Sequence, residues 1–174
     1  GGKGATKKTV TTLPDGTKTF NRDTKAVNKH GSKFEGNKQV TKDADGNVSG
    51  TRSHKAENAR GGTREGTSSF TKNTDGSATR AHESTATNAK GGTVSNSGSV
   101  TKGDDGSVTK THTKTVETAK GGTHEVTKTY TKDADGNVTH DVSKSGTTAK
   151  GGTYDVTKSG SKDTDGNVTR SVDK

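Results

Sequence analysis

Most apolar residues in this chain come singly, set between polar neighbours, as in Val-Thr-Lys-Thr-Tyr-Thr-Lys at 126–132. Such alternation, carried by segments of about 12 residues rich in Thr, Val and Ser, is the period-2 signature of β-strands, whose side chains point in turn to two faces. No segment has the 3.6-residue apolar spacing of a helix, so the pattern predicts an all-β chain.

The strands are punctuated at fixed intervals. Asp-Gly falls at Asp15-Gly16, Asp45-Gly46, Asp75-Gly76, Asp105-Gly106, Asp135-Gly136 and Asp165-Gly166. Midway between these lies a second signal, Ala-Lys-Gly-Gly-Thr at 89–93, 119–123 and 149–153, with Asn-Ala-Arg-Gly-Gly-Thr at 58–63. Together they place a glycine at every fifteenth residue, adding Gly1, Gly31, Gly61, Gly91, Gly121 and Gly151 to those above. The chain is therefore one array with a 30-residue period, in repeats 1–30, 31–60, 61–90, 91–120, 121–150 and 151–174. Leu13-Pro14-Asp15-Gly16 has Pro at the second turn position, Asp at the third and Gly at the fourth. That is the chemistry of a type I turn followed by a left-handed glycine bulge, and Asn88-Ala89-Lys90-Gly91 suits the same form.

If both kinds of connection are three-residue hairpin loops, one register serves the whole chain. It pairs Val10 with Phe20, Phe34 with Ala56, Val94 with Val116, His124 with Gly146 and Tyr130 with His140 on one weakly apolar face. The opposite face carries a ladder of hydroxyls: Thr11, Thr19, Thr41, Ser49, Thr71, Thr79, Thr101, Thr109, Thr131, Thr139, Ser161 and Thr169. The expected architecture is a repetitive antiparallel β-meander of about twelve strands. The alternative is a β-solenoid of six 30-residue rungs, in which Lys42, Lys72, Lys102, Lys132 and Lys162 would stack in a row at about 4.8 Å spacing.

Composition narrows what such a sheet can be. Only 18% of residues are apolar and 3% aromatic, too few for a large dry core. Stability must come from neighbour-to-neighbour contact, since strict periodicity argues against the disorder that low hydrophobicity with 28% charge would otherwise imply. There is no Cys, Met or Trp, hence no disulfide or thiolate metal site, and no apolar run long enough to span a membrane. The missing initiator Met and the lack of oxidisable residues point to a secreted chain freed of its signal peptide.

Candidate chemistry is sparse. Asp133-Ala134-Asp135-Gly136-Asn137 begins like a calcium loop, but no bidentate Glu follows and Asp133 is replaced by Leu13, Asn73 and Gly103 in other repeats, so a plain turn is expected. His30, His54, His82, His112, His124 and His140 read as solvated residues rather than metal ligands, because only His82 and His112 share a repeat position. No Ser/His/Asp or paired-carboxylate constellation stands out, so neither an enzyme nor a bound cofactor is expected. The net charge of +9 suits nonspecific contact with polyanions such as extracellular DNA or acidic polysaccharide. Asn47, Asn137 and Asn167 lie in sequons that matter only in a eukaryotic source; in the turn they serve conformation. The Thr-x-Thr runs at 109–115 and 127–131 offer an ice-binding face as a further surface-binding alternative.

Thr-rich repeats punctuated by Gly-Gly and by Asp-Gly-Asn, as at Gly91-Gly92 and Asp45-Gly46-Asn47, resemble secreted bacterial matrix proteins and are similar in logic to curli-type functional amyloid subunits. The resemblance implies an extracellular, biofilm-type filament. Physics points the same way, because a coreless sheet with two open edges presents unpaired donors and acceptors that head-to-tail polymerisation would satisfy. The joint expected between copies involves Lys3, Val10 and Leu13 at one edge and Ser171 and Val172 at the other.

Overall fold

The computed structural model describes residues 1–174 and contains only strands and turns. The strands are β1 (Lys3–Thr12), β2 (Lys18–Val27), β3 (Lys33–Lys42), β4 (Val48–Glu57), β5 (Thr63–Lys72), β6 (Ala78–Thr87), β7 (Thr93–Lys102), β8 (Val108–Glu117), β9 (Thr123–Lys132), β10 (Val138–Thr147), β11 (Thr153–Lys162) and β12 (Val168–Asp173). They form one 12-stranded sheet in simple sequence order, every neighbour antiparallel. The meander is thus the fold, and the solenoid expectation is corrected. Lys42 and Lys72 are not stacked on adjacent strands but both flank Val48, two strands apart.

The turns explain the choice. Leu13 donates its N–H to the Thr17 carbonyl at 2.9 Å, and Gly16 closes the loop with an N–H to the Leu13 carbonyl at 3.0 Å. Asn28, Ser32 and Gly31 repeat the arrangement at 3.0 and 3.1 Å, so both turn sequences build the same tight reversal. A reversal this short can only lead into an antiparallel neighbour; parallel stacking needs a long crossover. The glycines from Gly16 to Gly166 at 15-residue spacing have φ between 81° and 100°, and no other residue type has a positive φ. Their place in the period is therefore fixed by the backbone region that L side chains avoid.

The register is the expected one. Val10 faces Phe20, Phe34 faces Ala56, Val94 faces Val116, His124 faces Gly146 and Tyr130 faces His140. Paired residue numbers always add to a multiple of the 30-residue period. Only residues of equal parity can then oppose each other, so even-numbered strand residues share one face of the sheet and odd-numbered residues share the other. The hydroxyl ladder from Thr11 to Thr169 runs unbroken across the odd face.

No core accompanies this order. Buried residues number 5 of 174 and none is hydrophobic; all are glycines, namely Gly50, Gly62, Gly66, Gly92 and Gly122. The molecule is a single layer held by 128 backbone hydrogen bonds, 106 of them within the strands. At its ends the sheet is open. β12 pairs only with Thr157–Lys162, which leaves the stretch from Thr153 to Val156 of β11 uncovered on that side.

Candidate functional site

The parity rule sorts the charges. Within the strands every Asp and Glu is odd-numbered, ten in all, alongside five Lys; the even face carries eighteen Lys and Arg and no carboxylate. On the odd face the charges find partners: Lys25 reaches Glu35 at 3.2 Å, Lys33 reaches Glu57 at 3.8 Å, and Asn37 Nδ2 donates to Asp23 Oδ1 at 2.6 Å. Hydroxyls fill the space between, with Thr113 and Thr127 in contact at 3.0 Å. The even-face cations have no such partners. Lys8, Arg22, Lys38 and Arg52 stand opposite one another on the successive strands β1 to β4, roughly 4.8 Å from strand to strand.

All five aromatic side chains, and every His within a strand, are also on the even face. So are the glycines inside strands, and the two sets interlock. A Cβ on Gly50 would meet the Phe70 ring at 2.5 Å, one on Gly66 would meet His54 at 2.7 Å, one on Gly98 would meet His82 at 2.5 Å, and one on Gly146 would meet Tyr154 at 2.5 Å. Each is a cross-strand pair in which a ring covers the bare backbone of a glycine. Two such places hold a second ring: His112 stacks on His82 with centroids 6.0 Å apart, and His124 lies 5.8 Å from Tyr154 and hydrogen-bonds its hydroxyl through Nδ1. The Lys110 ammonium sits 5.5 Å from the Tyr130 ring centre, a cation–π contact. His54, His82 and His124 are half-buried against glycine or another ring, while His30, His112 and His140 are exposed.

The turns form two unlike rims. The Asp-Gly rim carries acids and no Lys or Arg, whereas the Gly-Gly rim carries Lys29, Arg60, Lys90, Lys120 and Lys150 and no acid. In three turns the carboxylate named from sequence does cap the loop: Asp15, Asp75 and Asp105 accept the N–H of Thr17, Ser77 and Ser107 at 2.9, 2.8 and 2.8 Å. In the other three the task passes to a residue the sequence reading did not single out as a cap. Asp43, Asp133 and Asp163 accept both the backbone N–H and the side-chain amide of Asn47, Asn137 and Asn167. The signal was visible, since Asp opens the turn only where Asn closes it. Side-chain hydrogen bonds from Asn47, Asn137 and Asn167, and from Ser77 and Ser107 to Asp75 and Asp105, hold these five carboxyls below the usual aspartate range. Asn47 and Asn137 also accept from the backbone of Thr74 and Thr164 in the next turn along the rim, at 3.0 and 3.2 Å.

The edges are the third feature. Because Leu13 and Thr17 are hydrogen-bonded partners, the alternation of an antiparallel ladder directs odd residues of β1 toward β2 and leaves even residues with outward N–H and C=O groups. The same reasoning from Asp163 and Asn167 leaves the even residues of β12 facing outward. Of the residues expected at a joint, Val10 and Val172 hold these outward positions and are 68% and 55% exposed. Lys3 and Ser171 lie on the same edge strands but pair inward with Val27 and Ser159, and Leu13 belongs to the first turn, since β1 ends at Thr12.

A hollow of about 630 Å³ along the Gly-Gly rim from β3 to β8 has 5 hydrophobic residues among the 18 that line it, and one of about 480 Å³ across β2 to β6 has none, unlike the mostly apolar clefts that take small molecules. No three His, Asp or Glu side chains converge as metal ligands would, and no helix is long and apolar enough to cross a membrane. Comparison with protein-family models, curated proteins and solved structures finds no match.

Proposed function

We propose that this protein is a structural subunit of an extracellular, biofilm-type β-rich filament, in which β12 of one copy pairs antiparallel with β1 of the next. The observation that carries the reading is the open sheet itself: twelve strands, no buried apolar residue, and an unpaired ladder at each edge. A sheet of this kind leaves its terminal donors and acceptors to water, and adding strands is what satisfies them. The two edges also match. Carrying the register across a junction sets Arg170 opposite Val10 and Val172 opposite Lys8 of the next copy, with outward backbone groups on both sides and Val10 diagonal to Val168 and Val172. Such a head-to-tail contact does not close on itself and so propagates. Face-to-face dimers are disfavoured, because two even faces would bring like charge against like.

Electron microscopy of concentrated protein tests this directly. Filaments with an axial repeat of about 58 Å, twelve strands at ~4.8 Å each, are the expected result, and a field of monomers at every concentration would overturn the proposal.

A further inference from the structure

We infer that the even face is a binding surface for single-stranded nucleic acid, recognised without regard to sequence. Two observations and a general property of sheets carry this, and none depends on how copies join. First, the eighteen cations of this face meet no carboxylate on it, and the whole chain keeps a net charge of +9. The odd face of a second copy offers ten carboxylates already shared with five Lys, too little negative charge to neutralise them. Second, Phe70 and Tyr154 on this face lie over Gly50 and Gly146 and keep surface open to solvent, 36% and 39% exposed. A ring held against backbone on one side and open on the other is a stacking platform, and rings set among cations are how proteins hold unpaired bases whatever their identity. Third, sheets twist along their length. A flexible strand can follow a twisting face of twelve β-strands, whereas a planar lipid surface meets only part of it and stiff duplex DNA, with a persistence length of about 150 base pairs, touches it along a line.

The phosphates would track rows such as Lys8, Arg22, Lys38 and Arg52, and the bases would lie on Phe70, Tyr154 and the His82–His112 pair. Stacking on a ring uses the π-face that every base has, so binding through these rings carries no sequence preference.

The test is fluorescence anisotropy with a labelled 30-nucleotide oligo(dT), a mixed-sequence duplex of the same length and heparin, across a salt series, using dilute protein. The single strand is expected to bind tightest, with a linear fall of log K against log salt. Two quadruple variants remove equal charge: K8Q/R22Q/K38Q/R52Q from the even face and K7Q/K25Q/K33Q/K55Q from the odd. The first should weaken binding at least tenfold and reduce the salt slope by up to about three; the second should change it little, with circular dichroism confirming that both keep the sheet. Phe70→Leu and Tyr154→Leu, which leave a side chain over each glycine, should each weaken the single strand by roughly tenfold and leave heparin unaffected. Equal losses in the two quadruple variants would overturn the inference in favour of net charge alone. So would heparin or duplex binding tighter than the single strand with no effect of the ring variants, or the absence of any binding at low salt.

Discussion

At the scale of single residues, the turn caps show how one job is done by different side chains. Asp43 caps its loop and Asp45 does not, while in the next turn along the same rim the pattern reverses and Asp75 caps in place of Asn73. Asp43→Ala and Asp75→Ala should therefore speed amide exchange in their own turns, and Asp45→Ala should not. A tool for the glycines is Gly76→Ala: its φ is 91° and nothing stands within 4 Å of the added methyl, so the change isolates the left-handed backbone and should cost about 1 kcal/mol by denaturant titration.

The pH response follows from the same caps. Hydrogen bonds lower the folded-state pKa of Asp43, Asp75, Asp105, Asp133 and Asp163. A lowered carboxyl contributes stability that is complete above the unfolded value near 3.9 and is lost as pH falls through the lower folded value. The opposite rim uses neutral acceptors: the side-chain oxygens of Asn28, Asn58 and Asn88 and of Thr118 and Thr148 take the equivalent N–H at 2.9 to 3.1 Å. Hydrogen exchange below about pH 4 should then show the Asp-Gly rim loosening first, and equal loosening at both rims would contradict the assignment.

For the elements, the cross-strand pairing of rings with glycines matters more than the propensity of either residue. Glycine inside a strand is ordinarily a weakness, yet here a ring from the next strand takes the place of the missing side chain. Gly50→Val tests this, since its Cβ would lie within 2.9 Å of two Phe70 ring atoms and 2.8 Å from the Gln39 carbonyl. The expected result is displacement of Phe70, seen as a change in its ring resonances, with destabilisation of roughly 1–3 kcal/mol from overpacking. Gly160→Val, whose nearest neighbour would be 3.6 Å away, should be tolerated.

Across the whole molecule, the ladder alternation makes the edge strand asymmetric in a way proline can read. Val10 points its N–H outward from β1, whereas Thr9 is an inward partner of Asn21. Val10→Pro should leave the sheet formed but abolish filament growth, and Thr9→Pro should weaken the β1–β2 pairing itself. Growth of Val10→Pro filaments at the normal rate, followed by light scattering and microscopy, would show that β1 is not the joint. The chemistry of the two faces bears on the proposed assembly as well, because copies joined at their edges would leave the even-face cations free.

What the sequence determined by itself was the local geometry. A glycine every fifteen residues fixes where the chain turns, Asp-Gly and Asn-x-x-Gly fix how tightly, and two tight turns with equal strands fix the register, which is why Val10–Phe20 and Tyr130–His140 are legible before any fold is known. The period alone could not decide between meander and solenoid, since like residues recur every 30 positions in both. Lys42 and Lys72 become stacked neighbours or next-but-one strands only when hydrogen bonds choose antiparallel partners. The charged face was written in the sequence as even and odd numbers but was not a surface until pairing joined positions of equal parity across the sheet. Contacts between distant residues, such as Phe70 over Gly50, His82 with His112 and Asn47 with Thr74, belong wholly to the tertiary structure. They depend on which strand or turn lies alongside and which way each side chain leans, and neither is encoded in a window of neighbouring residues.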